Sequence, residues 1–167
     1  MSSEDWRLKP PYQQLDTQSH FRREIQGSCH CRKVLYWIST DKPLASKFCH
    51  CVGCQLIHGA PFQWAAIFQK SNVAFETGAE HLKFYNSATK EGHHELPCKV
   101  SCKWCGSHIM DEGRNMALVF PPLLSLNAAQ KENFEVQCHI FYSQRCVDID
   151  DGKPKWSGLD GQSELLQ

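Results

Sequence analysis

Residues 29–43 read CHCRKVLYWISTDKP. Two cysteines one residue apart lead into a run rich in β-branched and aromatic side chains, Lys33 to Ser39, and the Thr40-Asp41-Lys42-Pro43 cluster ends it. Branched and aromatic side chains fit a pleated, half-buried surface, while Asp and Pro close such a run with a turn. The stretch therefore predicts a short strand entered from a cysteine pair. The same grammar recurs downstream in FQWAAIF (62–68), VAFET (73–77), HLKFYNS (81–87), HELPCKVSC (94–102), MALVF (116–120) and VQCHIFY (136–142). Short strands at this spacing predict a mainly β domain with little helix. Only PLLSLNAAQKEN (122–133) offers a helical stretch. Trp37, Trp64, Phe68, Phe84, Phe120 and Phe141 are expected in the core.

Outward from these strands the chain divides into three parts. Residues 1–22 read as an N-terminal arm, because Pro10-Pro11 excludes a helix and little apolar material is available for burial. Residues 23–150 carry the strands and the cysteine motifs, and 151–167 form a polar, turn-rich tail. A chain of 167 residues buries about two-thirds of its unfolded surface, so it folds without covalent staples. The polar start lacks the apolar core of an export signal, and no run approaches the ~18 apolar residues of a membrane span. These features predict a cytoplasmic protein, with a nuclear location left open, in which thiols stay reduced. Lys+Arg and Asp+Glu both number 18, and thiolates on metal ions would tip this balance to slightly acidic. A basic phosphate-binding surface is not expected, and so neither is a nucleic-acid partner.

Ten cysteines in a reduced setting point to metal or redox chemistry rather than to disulfides. Seven fall in three tight groups: Cys29 and Cys31; Cys49, Cys51 and Cys54; Cys102 and Cys105. Zinc needs ligands that converge tetrahedrally, with sulfur at about 2.3 Å. A Cys-x-x-Cys turn delivers two sulfurs to one ion, and alternate residues of an extended segment, such as Cys29 and Cys31, share a face. The simplest partition joins Cys29 and Cys31 to Cys102 and Cys105 in a four-sulfur site. It clips the start of the domain to residues roughly 70 positions later, a long loop whose closure stabilises. Cys49, Cys51 and Cys54 then form a second site with three protein ligands, the arrangement that leaves a metal open to substrate. His58, four residues after Cys54, closes that site in an alternative reading, which makes both ions structural. A thioredoxin-like role for Cys102 and Cys105 lacks the surrounding βαβ unit. Cys98, Cys138 and Cys146 are expected as buried apolar residues, and His93-His94 as an exposed turn.

The motifs Gly-x-Cys-x-Cys (Gly27 to Cys31), Cys-x-Cys-x-x-Cys (Cys49 to Cys54) followed by Gly59-Ala60-Pro61-Phe62, and Cys-x-x-Cys-Gly-Ser (Cys102 to Ser107) stand in this order. They resemble the glutathione-dependent formaldehyde-activating enzyme family, which also contains centromere protein V, over about residues 24–150. The resemblance implies a mainly β, tent-like arrangement of sheets around two zinc ions. It implies Cys29, Cys31, Cys102 and Cys105 as ligands of a structural zinc, and Cys49, Cys51 and Cys54 as ligands of a catalytic one. The implied activity is the making or breaking of a carbon–sulfur bond, a carbon–sulfur lyase reaction on glutathione or a related thiol adduct of a small electrophile. His58 beside an open zinc suits a proton shuttle, since its unperturbed pKa lies near neutrality. It suits equally a hydrogen-bonding neighbour or the fourth ligand. Lys47, Lys90 and Arg114 are the candidate partners of the glutathione carboxylates, and Phe48 and Trp64 the candidate walls of an aromatic pocket over the zinc. Two other functions fit the same residues: a non-catalytic zinc scaffold for a protein partner, and a lyase or isomerase acting on a different small molecule. The oligomeric state stays open.

Overall fold

A computed structural model describes residues 6–10 and 13–167. In chain order its strands and helices are β1 (Ile25–Ser28), β2 (Leu35–Ile38), β3 (Ala45–Cys49), α1 (Val52–His58), β4 (Gln63–Gln69), β5 (Val73–Thr77), β6 (Leu82–Tyr85), β7 (Cys98–Cys102), β8 (His108–Glu112), β9 (Met116–Val119), α2 (Ala128–Asn133) and β10 (Cys138–Ile140). The protein is mainly β, as expected. A three-stranded sheet runs β1-β2-β5, and a seven-stranded sheet runs β10-β3-β4-β9-β8-β7-β6. Every pairing is antiparallel except that of β10 with β3.

Period-two alternation decides which side chains are buried. On β7, Cys98, Val100 and Cys102 point inward while Lys99 and Ser101 are part-exposed. Ile25, Tyr36, Ile38, Phe68, Phe75, Val100, Ile109, Met110, Val119 and Phe134 fill the core. Gly27 pairs with Tyr36 across β1 and β2, and a Cβ on it would lie 2.2 Å from the Tyr36 ring. Glycine is what lets that ring cross β1. Of the six aromatics expected in the core, Phe68 and Phe120 are buried, while Trp37, Trp64, Phe84 and Phe141 are half-buried.

Helix departs from the sequence reading in two places. The stretch over 122–133 divides into a 3-10 turn at Pro121–Leu123 and α2, which starts at an Asn127/Gln130 capping box. α1 was not expected. Its seven residues are too short for a periodic signal, and its N-cap is a thiol, Cys51, whose sulfur accepts from the Cys54 amide. β7 begins at Cys98 rather than His94, after Pro97, which has no amide hydrogen to pair.

Segment 151–167 runs beside β10. His139 bridges Lys155, Trp156 bridges Leu165, and the Lys155 amide donates to the Gln167 carbonyl. Near the other end, the Leu15 amide donates to the Phe75 carbonyl and the Phe75 amide to the Gln13 carbonyl. The expected arm also includes residues 1–5 and 11–12, which lie outside the described residues. No helix among the described residues is long and apolar enough to cross a membrane.

Candidate metal centres and active site

The seven cysteines singled out in the sequence fall into two spatial groups, Cys29 with Cys31, Cys102 and Cys105, and Cys49 with Cys51 and Cys54, each with its sulfurs within 4.8 Å of one another. In the first group the Cys29 and Cys31 sulfurs are 3.5 Å apart, and those of Cys31 and Cys102 3.8 Å. In the second, Cys54 and Cys49 are 3.6 Å apart. Bonds of about 2.3 Å to a tetrahedral ion put sulfurs about 3.8 Å from each other, whereas a disulfide needs about 2.05 Å. All ten cysteines are free thiols. Both donor sets therefore fit a metal ion.

Backbone geometry builds the four-sulfur group. Arg32 turns the first pair with φ 61°, and its amide donates to the Cys29 carbonyl. The Val34 amide donates to the Cys29 sulfur at 3.3 Å. Gly106, at φ 75°, closes the second turn by donating to the Cys102 carbonyl at 2.9 Å. The two turns are tied by the His30 amide, which donates to Ser107 Oγ at 2.9 Å.

The three-sulfur group sits where β3 ends and α1 begins. Cys51 ionises most readily, because thiol hydrogen bonds from Cys49 and Cys54 draw it down. Its sulfur in turn keeps its neighbours protonated: hydrogen bonding to Cys51 raises Cys49 to about 11, and Cys49 and Cys51 together push Cys54 higher. The three sulfurs thus share a single negative charge, and a cation bound among them would let all three ionise. Among the described residues no fourth Cys, His, Asp or Glu donor joins the group.

His58 is not among the donors that cluster with these sulfurs. It follows Cys54 by one helical turn, and its Nε2 lies 2.9 Å from Gln63 Oε1. Gln63, opposite Cys49 in the β3–β4 register, donates through Nε2 to Asp111 at 2.8 Å. Asp111 also receives Lys99 Nζ at 2.7 Å and His108 Nε2 at 3.1 Å. Burial alone would raise Asp111, but the His108 hydrogen bond and the Lys99 cation hold it below the ordinary carboxylate range. Burial lowers His58, leaving it neutral near pH 7. With the Gln63 amide nitrogen spent on Asp111, its oxygen accepts from His58. His58 is thus the Nε2–H tautomer with Nδ1 free to take a proton.

Lys99, whose charge helps to lower Cys51, with Gln63, His108 and Asp111, was missed in the sequence. Lys99 alternates with buried Cys98 and Val100, a pattern that marks it as facing the other side of β7, but nothing in the sequence says that β8 and β4 present their polar residues to the same face. Of the residues expected to meet carboxylates, Lys47 is held by Asp160 at 2.6 Å, and Lys90 and Arg114 are exposed.

A third group, His94, Cys98 and Glu112, has a hydrogen-bonding account. His94 Nε2 is 3.0 Å and Cys98 Sγ 3.3 Å from Glu112 Oε2, and Lys70 pairs with Oε1 in a fully buried contact. His93 is exposed between Glu91 and Glu95, as a turn residue should be, whereas His94 is drawn inward by Glu112. Cys98 and Cys138 are buried as expected. Cys146 is exposed, because it follows the chain reversal at Tyr142–Gln144 and leaves the sheet.

A family model described as glutathione-dependent formaldehyde-activating enzyme matches residues 24–144. No curated protein matches the chain. Among solved structures, a Rhodobacter sphaeroides protein superposes with a TM-score of 0.50 at 22% identity, covering 66% of this chain and 96% of its own, which is a likeness of fold.

Proposed function

The chain belongs to the glutathione-dependent formaldehyde-activating enzyme family, and from that premise we propose that it is a zinc-dependent enzyme making or breaking a carbon–sulfur bond on a glutathione-type thiol adduct. The observation that carries this reading is the difference between the two sulfur groups: four donors in one, three in the other. In this reading Cys29, Cys31, Cys102 and Cys105 hold a structural zinc, and Cys49, Cys51 and Cys54 a catalytic one. A zinc bound by the three sulfurs supplies an electrophilic position that favours the thiolate form of a substrate thiol at neutral pH.

The chain's own residues supply the rest. In the cleavage direction a hydroxymethyl thioether gives its hydroxyl proton to His58 Nδ1. The O–H electron pair forms the carbonyl, and sulfur leaves with the carbon–sulfur bonding pair and recovers the proton. Gln63 fixes the His58 tautomer, and Asp111 fixes Gln63. Lys99, anchored on Asp111, keeps positive charge on the side of the cysteines where anionic sulfur develops.

The test is the visible spectrum of the cobalt-substituted protein with and without glutathione. A shift in the ligand-field bands on adding the thiol is expected. An unchanged spectrum at saturating thiol overturns the reading and favours a closed scaffold.

A further inference from the structure

β4 pairs with β9 only from Ala66 onward, so its first residues separate from the segment that leaves β9. Pro121 and Pro122 turn that segment aside. The opening is a pocket of about 380 Å³ walled by Phe48, Phe62, Trp64, Phe120 and Pro122, with His58 and Gln63 among its lining. Phe48 and Phe62 lie with ring centres 4.4 Å apart, and Trp64 meets Phe48 edge-on at 6.0 Å. Phe120 stands edge-on to His58 at 5.1 Å. No charged side chain lines the space.

The polar residues of this pocket are the ones nearest in the fold to the three-sulfur group, whose cysteines do not themselves line it: Gln63 is opposite Cys49 in the β3–β4 register, and His58 is one turn from Cys54. The remainder is aromatic wall. A glutathione peptide, with two carboxylates and an amine, would be desolvated there without a counter-charge. A hydroxymethyl group takes up about twice a water's ~30 Å³ share of liquid volume and leaves most of the pocket empty, whereas apolar cavities of about 150 Å³ already accept a benzene ring.

Resting on the carbon–sulfur reading above, we propose that this pocket holds an aromatic or similarly broad apolar group borne on the carbon that bonds sulfur. The substrates are then hemithioacetals of aromatic or bulky apolar aldehydes. Cleavage returns the thiol and the aldehyde: the hydroxyl proton goes to His58 Nδ1, the carbonyl forms, and sulfur leaves with the carbon–sulfur pair and takes the proton back. No oxidant or reductant is needed.

The experiment titrates the cobalt-substituted protein with benzyl mercaptan and with 2-mercaptoethanol, following the ligand-field bands. Benzyl mercaptan carries a ring on its sulfur-bonded carbon; 2-mercaptoethanol does not. Burying the ring should make benzyl mercaptan bind about 10- to 100-fold tighter. Ala60→Phe, which fills the pocket rim, should collapse that ratio toward unity, with circular dichroism verifying its fold. Equal affinities for the two thiols in the unsubstituted protein overturn the pocket assignment and leave the thiol-binding reading standing. Bands that respond to neither thiol overturn that reading and the pocket assignment with it.

Discussion

His50 Nε2 and His139 Nδ1 lie 2.8 Å apart, with both side chains fully buried. His139 Nε2 is 2.9 Å from Asp151, whose other oxygen receives Lys155 at 3.2 Å. Since Asp151 accepts, His139 carries its proton on Nε2 and presents a bare Nδ1. His50 must then donate from Nε2, and its own Nδ1 is buried without a hydrogen-bond partner among the described residues. This chain of hydrogen bonds crosses from segment 151–167 to the residue between Cys49 and Cys51. The same loop is clamped by Gln55, which donates to the His50 carbonyl at 2.7 Å, and by the His50 amide, which donates to the Ile140 carbonyl at 3.0 Å.

His139→Leu removes the acceptor of the His50 proton. A buried donor left unpaired costs about 1–3 kcal/mol, so the urea midpoint should fall accordingly. A variant as stable as the parent would show that the pairing contributes nothing to the fold.

The same residues predict acid sensitivity. Burial, then His139, depresses His50 to about 4, below its unfolded value of about 6.5. The unfolded chain therefore binds the proton more readily, and stability present above about pH 6.5 is lost as pH falls toward 4. Burial would raise Asp151, but the His139 hydrogen bond, the Lys153 amide and Lys155 outweigh it and set Asp151 at about 2. Its contribution is lost between about pH 4 and 2. Unfolding free energy measured across pH 7 to 4 should decline; a flat profile contradicts the depressed His50.

The two sulfur groups should respond differently to serine. Cys29→Ser breaks the group that clips β1 to β7 and should lower the urea midpoint markedly, because metal binding there is coupled to folding. Cys54→Ser should remain folded and bind one zinc fewer by elemental analysis. Equal destabilisation by both substitutions would sink the division into structural and catalytic ions.

His58→Ala separates proton transfer from ligation. Metal content should match the parent, while turnover of a thiol adduct falls by about 10²–10⁴-fold. Loss of one zinc would instead make His58 a ligand.

The cysteine spacing carried much of the site because Cys-x-Cys and Cys-x-x-Cys are local geometries: the turn alone aims both sulfurs one way. The strand grammar around Lys33–Ser39 and Phe62–Phe68 likewise depends on near neighbours. α1 was less legible, since seven residues capped by a thiol carry no apolar period. Asp111, His108 and Lys99 were not legible at all.

The sequence by itself determined a mainly β chain and seven cysteines in metal-ligand spacing, because strand propensity and turn geometry act over a few residues. Only the tertiary structure decided that His58 meets Gln63. Tertiary structure also decided that Lys99 and His108 share Asp111, that His139 buries His50, and that β4 parts from β9 to leave an aromatic pocket. These are matters of strand order and register between distant segments, and a side chain's partner across a sheet is fixed by pairings that no local stretch encodes.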